Sequence, residues 1–75
     1  MSKLPHLSGN EVIKLLTKVG FSVARQKGSH IILIKQTTSE KRAVVVPNHK
    51  EIDIGTLIEI IRQAGLKREE FLQLI

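Results

Sequence analysis

Gln26-Lys27-Gly28-Ser29-His30-Ile31-Ile32-Leu33-Ile34-Lys35 is the stretch on which the rest of the chain turns. A Gly-Ser pair turns easily, and here it delivers a histidine to the first position of a strongly β-prone run. Upstream, Phe21, Val23 and Arg25 alternate with Ser22, Ala24 and Gln26, the pattern of a half-buried strand ending at Lys27. Two such runs joined by two residues predict an antiparallel hairpin, with the second strand over 30–36. Residues 37–42 are polar and read as a loop, and 43–46 are a third strand that Pro47 ends.

Helices flank this meander. Ser8-Gly9-Asn10-Glu11 fits a capping box, in which the Ser8 and Glu11 side chains each reach the other's backbone amide. Val12, Ile13, Leu15, Leu16 and Val19 follow at helical spacing, so a helix is expected over roughly 9–19, stopped by Gly20. Residues 1–7 read as a short lead-in with a solvated His6. After a polar loop over 47–51, Asp53 can cap a second helix whose apolar stripe is Ile54, Leu57, Ile58, Ile61 and Ala64, stopped by Gly65. Residues 67–75 suggest a short terminal helix turning Phe71, Leu74 and Leu72 inward. The expected fold is α+β, in the order α-β-β-β-α plus a short C-terminal helix. A three-stranded antiparallel sheet buries one face against the two longer helices. That order matches the double-stranded-RNA-binding domain, although order alone does not establish function.

Seventy-five residues are read as one domain, 1–75, near the lower size at which a chain folds alone and able to bury only about 60% of its unfolded surface. A core this small leaves no room for a deep pocket, so a large substrate bound on the outside is expected. The absence of cysteine removes disulfides and thiolate metal sites. His6, His30 and His49 are far apart and none has a second ligand nearby in sequence, so neither a metal nor any other cofactor is expected. No apolar run approaches the ~20 residues of a membrane span, and residues 1–5 lack the apolar segment of a leader, so the expected location is cytoplasmic with no membrane partner. Twelve Lys and Arg against seven Asp and Glu leave a charge of +5, which favours a polyanion.

Strand alternation places His30, Ile32 and Ile34 on one face of the central strand and Ile31, Leu33 and Lys35 on the other. With Ile31 and Leu33 assigned to the core, His30 stands on the open face or at its edge, and Ile32 and Ile34 are exposed beside it. Exposed apolar residues in such a place point to a protein partner. The frame of a nucleophilic serine motif and the phosphate-cradling loop are both missing. What remains is acid–base chemistry without a metal, for which RNA supplies its own 2′-OH nucleophile. An imidazole with an unperturbed pKa near 6.5 suits proton transfer at neutral pH. Arg25, Lys27, Ser29 and Lys35 are the candidates for RNA contact. Stacking on bases lacks material, because Trp and Tyr are absent and both Phe read as core. Two other readings stay open: a non-catalytic double-stranded-RNA-binding module, and an accessory protein whose strand face serves protein contacts alone.

Gly20-Phe21, Arg25-Gln26-Lys27-Gly28-Ser29-His30, Val46-Pro47-Asn48-His49, Ile54-Gly55-Thr56-Leu57, Ile60-Ile61-Arg62-Gln63-Ala64-Gly65-Leu66 and Glu69-Glu70-Phe71 together resemble the HicA family of mRNA interferase toxins. The resemblance implies a double-stranded-RNA-binding-like fold, cleavage of mRNA without a metal, and a HicB-like antitoxin that binds and blocks the toxin. It carries the catalytic role to His30 and a secondary position to His49. Ile32 and Ile34, exposed beside His30 by strand alternation, are the candidate contacts for such an antitoxin. Lys50 departs from the small residue expected after the loop histidine. Ile32 and Ile34 make the central strand more aliphatic than the family pattern.

Overall fold

The computed structural model describes residues 3–75, so the first two residues of the 1–7 lead-in, and of the 1–5 stretch read as lacking a leader, lie outside the described residues. Local chemistry sets the first helix. The Glu11 amide donates to Ser8 Oγ at 3.1 Å and the Ser8 amide to Glu11 Oε1 at 2.9 Å, completing the expected capping box. Helix α1 then runs Gly9–Thr17, two residues shorter than expected. The amides of Lys18 and Val19 bond back three residues, to Leu15 and Leu16, which tightens the last turn ahead of Gly20. Val12, Leu15 and Leu16 face the core.

Strands β1 (Ser22–Lys27), β2 (His30–Gln36) and β3 (Lys41–Pro47) form one antiparallel sheet in that order, the expected meander with β2 in the middle. Gly28 has φ of +60° while, among the described residues, none other than glycine has a positive φ, the signature of a type II′ hairpin turn whose twist matches the strands. Strand β1 departs from the half-buried expectation, since every one of its residues is exposed. It is an edge strand, and α1 and α2 pack over β3 at the opposite edge. It also carries a bulge: Val23 pairs with Leu33, but Arg25 pairs with Ile32. The unpaired Ala24 breaks the alternation, so Val23 and Arg25 do not share a face as expected.

Strand β3 begins two residues before the expected 43–46 run, because Lys41 and Arg42 pair with Gln36 and Lys35. The loop is shorter accordingly. Thr37 closes it, accepting at Oγ1 from the amides of Ser39 (3.3 Å) and Glu40 (3.1 Å). Pro47 lies within the strand, with its missing N–H on the outer edge. Two residues back on that edge, the Val45 amide donates to Gln63 Oε1 at 3.3 Å.

Asp53 caps α2 (Ile54–Gln63), its carboxylate accepting from the Thr56 amide at 3.1 Å and the Thr56 hydroxyl at 2.7 Å. The buried stripe is Leu57, Ile60, Ile61 and Ala64. It is rotated from the expected one: Ile60 faces the sheet, and Ile58 stands 45% exposed. Helix α3 is only Arg68–Leu72 within the expected 67–75 segment, with Phe71 fully buried and Leu72 and Leu74 half-buried. The lead-in is better anchored than its composition implied. Leu4 and Leu7 join the core, and Leu7 bridges to Ile52, whose amide donates to the Leu7 carbonyl at 2.7 Å. The result is an α+β fold of the double-stranded-RNA-binding type, with helices on one sheet face. Among the described residues, no helix is long and apolar enough to cross a membrane.

Candidate functional site

Directly opposed residues in antiparallel strands share a face, so the register maps the side of the sheet that the helices leave uncovered. Its first row is Lys27, His30 and Pro47; the second is Arg25, Ile32 and Val45; the third is Ser22, Ile34 and Ala43. His30 is exposed at the end of this face, as expected from alternation. Lys27 stands beside it and Arg25 one row on. Neither cation has an acidic partner among the described residues, whereas Arg42 pairs with Glu40 and Arg62 with Glu59. The basic charge next to His30 is therefore free to meet an anion.

Ile32 and Ile34 lie on the same face, but they are half-buried rather than exposed. Cross-strand neighbours on both sides shield their stems, and Val45 contributes the more open apolar surface, at 41%. Lys35 is not brought to this site. It points to the helix side at the other end of β2, with its ammonium 5.9 Å from the centre of the Phe21 ring, a cation–π distance.

Three segments meet at the His30 end of the sheet. The Ser29 carbonyl accepts from the Asn48 amide at 2.6 Å, extending the β2–β3 ladder past Pro47. The His49 carbonyl accepts from the Gly9 amide, the first of α1, at 2.9 Å. Hence the hairpin turn, the loop after β3 and the start of α1 are tied together, and the exposed side chains of His30 and His49 belong to one end of the fold. Gln26 braces the turn, its amide nitrogen donating to the Gly28 carbonyl at 3.1 Å. His6, by contrast, sits 3.4 Å from Glu51 and is exposed, the solvated side chain it was expected to be.

Sequence spacing held no sign that Asn48, Gln26 and Gly9 support the site. Their links are main-chain or turn contacts, and two of the three join segments remote in the chain. Both helix caps shift the ionisation of their acidic residue. Hydrogen bonds from Ser8 hold the Glu11 carboxyl below its usual range, and those from Thr56 do the same for Asp53. Among the described residues, no group of three or more His, Asp or Glu side chains could hold a metal ion. Grooves such as that lined by Leu4, Ile58, Ile61 and Leu66 lie among the helices and away from His30. Whatever meets His30 meets it on an open sheet surface.

Comparison with curated proteins finds no match. Residues 9–66, from the first residue of α1 to just beyond α2, match the family model of the HicA toxin of bacterial toxin–antitoxin systems. That span contains the whole sheet, the Gly-Ser-His turn and both longer helices. The chain belongs to the HicA toxin family.

Proposed function

We propose that this toxin is a metal-independent endoribonuclease that cleaves mRNA at the open face of its sheet, arresting translation and growth, with His30 as the proton-transferring group. The observation that carries this reading is the placement of an exposed imidazole beside Lys27 and Arg25, two cations without acidic partners among the described residues. In RNA the 2′-oxygen attacks the adjacent phosphorus, the bond from phosphorus to the 5′-oxygen breaks, and a 2′,3′-cyclic phosphate and a 5′-hydroxyl result. One proton leaves the 2′-OH and one reaches the 5′-oxygen. His30 performs one of these transfers, and His49, at the same end of the fold, is the secondary candidate for the other. Lys27 and Arg25 bind phosphates, with the Ser29 turn beside them. Lys35, on the helix side at the other end of β2, contacts only RNA that runs past that end of the sheet. One positioned acid or base contributes roughly 10²–10⁴-fold.

A HicB-like antitoxin covers the same face, because Ile32, Ile34 and Val45 offer it apolar surface next to His30. The chain acts as a single toxin domain over 1–75 in the cytoplasm. The test is His30→Ala: RNA cleavage and growth arrest should vanish while the protein stays folded and keeps its affinity for RNA. Cleavage by the natural chain should persist in EDTA and fail on a substrate with deoxyribose at the scissile nucleotide. Full activity in His30→Ala with loss in His49→Ala would move the catalytic role to the loop. RNA binding without cleavage by the natural chain would leave a duplex-RNA-binding module.

A further inference from the structure

Gly9 occupies the first position of α1 with an ordinary helical backbone, so nothing in its conformation demands glycine. What demands it is space. A β-carbon built there falls inside contact distance of the Pro47 carbonyl oxygen, 3.3 Å from Asn48 Cα and 3.4 Å from the His49 amide nitrogen. All three neighbours are backbone, so none can swing aside as a side chain could. The close approach lets the Gly9 amide reach the His49 carbonyl at 2.9 Å. Pro47 is also the residue directly opposite His30, and the Asn48 amide bonds the Ser29 carbonyl at 2.6 Å.

We propose that Gly9 is a positioning residue for the catalytic site: its bare backbone clamps the 47–49 segment, which in turn holds the Ser29-His30 turn and His49 in their working places. The inference rests on the nuclease reading above, and it adds a requirement that the reading alone does not contain. The start of α1, on the far side of the sheet from the RNA-binding face, sets the geometry of proton transfer. A misplacement of about 1 Å at a reacting group can lower a rate by roughly a hundredfold.

The experiment uses the full chain with Gly9→Ala, and Asn10→Ala, an exposed neighbour on the same helix, as the control. Alanine is the better helix former, so α1 itself is not weakened. In Gly9→Ala the turnover rate should fall about tenfold to a hundredfold with KM for RNA nearly unchanged, and the Asn48 amide should exchange with solvent faster while Leu33 and Val44 keep their protection. Asn10→Ala should match the natural chain in all three. A second variant, with glycolic acid in place of Gly9 introduced by chemical synthesis, removes the N–H without adding a β-carbon, weakens the Ser8 carbonyl as acceptor for the Val12 amide only slightly, and should show the same pattern to a lesser degree. It decides the matter if Gly9→Ala does not fold. Wild-type turnover in either folded variant, or an Asn48 amide as protected as before, overturns the proposal. If the natural chain cleaves no RNA, the nuclease reading fails by itself, and Asn48 exchange still decides whether the clamp exists.

Discussion

Ile31 and Ile32 are identical neighbours on one strand, and Leu33 and Ile34 are isomeric ones, yet the two faces of β2 treat them differently. Ile31 and Leu33 are 7% and 0% exposed beneath the helices, while Ile32 and Ile34 are half-buried on the face that carries His30. The helix side is a closed packing problem solved by Val12, Leu16, Val44, Leu57, Ile60 and Phe71. The open side is a flat surface with an imidazole and two cations at one end and apolar side chains behind them. Apolar character alone therefore does not mark the core of this protein. The same aliphatic residue stabilises the fold on one face and is available to a partner on the other.

If that contrast is sound, truncation should separate the faces. Leu33→Ala or Leu16→Ala should lower the unfolding free energy by about 2–5 kcal/mol, the range for a fully buried leucine, whereas Ile34→Ala should cost only about 1 kcal/mol. Equal shifts in denaturation midpoint would show that the open face is a second core. Next in size, Ile32→Lys with Ile34→Lys should weaken the complex with the antitoxin by about 2 kcal/mol, roughly thirtyfold in Kd, without unfolding the chain. Calorimetric titration measures this, and undiminished affinity would put the interface on the helices.

Smaller again is the contribution of the two cations. Arg25→Ala with Lys27→Ala should flatten the salt dependence of single-stranded RNA binding, the log–log slope falling by about 0.7 for every phosphate no longer neutralised. An unchanged slope would place the RNA elsewhere, along Lys14 and Lys18 for instance. The smallest effect concerns acid, and it belongs to the helix side alone. Glu11 and Asp53 have carboxyls held below their usual values of 4.5 and 3.8 by the caps they form. A lowered native pKa means that the ionised form stabilises the fold, so this contribution is complete above the unfolded-state pKa and disappears as pH falls through the native one. Thermal stability should therefore decline below about pH 4, and less steeply for Glu11→Gln with Asp53→Asn. Parallel declines would mean that ionisation of the two caps adds nothing.

The bulge at Ala24 shows where legibility in the sequence stopped. Strict alternation put Arg25 with Val23, and only the pairing with Ile32 reveals that Arg25 shares the face of His30. Bulges leave no reliable trace in a short strand of mixed polarity. The stripe of α2 is a similar case. Ile58 and Ile60 are chemically alike, and the docking of the helix on β3 decided which one faces inward. Leu4, Leu7 and Ile52 are not legible as core, because isolated apolar residues in polar segments have no period to betray them.

The sequence by itself determined the elements and their order: the Ser8 and Asp53 caps, the Gly28 turn, the β-branched runs and the place of His30 at the start of the central strand. Those features rest on interactions within about four residues, so local chemistry is enough to specify them. Only the tertiary structure decided which face Arg25 takes, which side of α2 is buried, and that Ser29, Asn48, His49 and Gly9 meet at one end. These depend on strand register and helix docking between segments remote in the chain. Many local choices there are nearly equal in energy, and the burial of one common core selects among them.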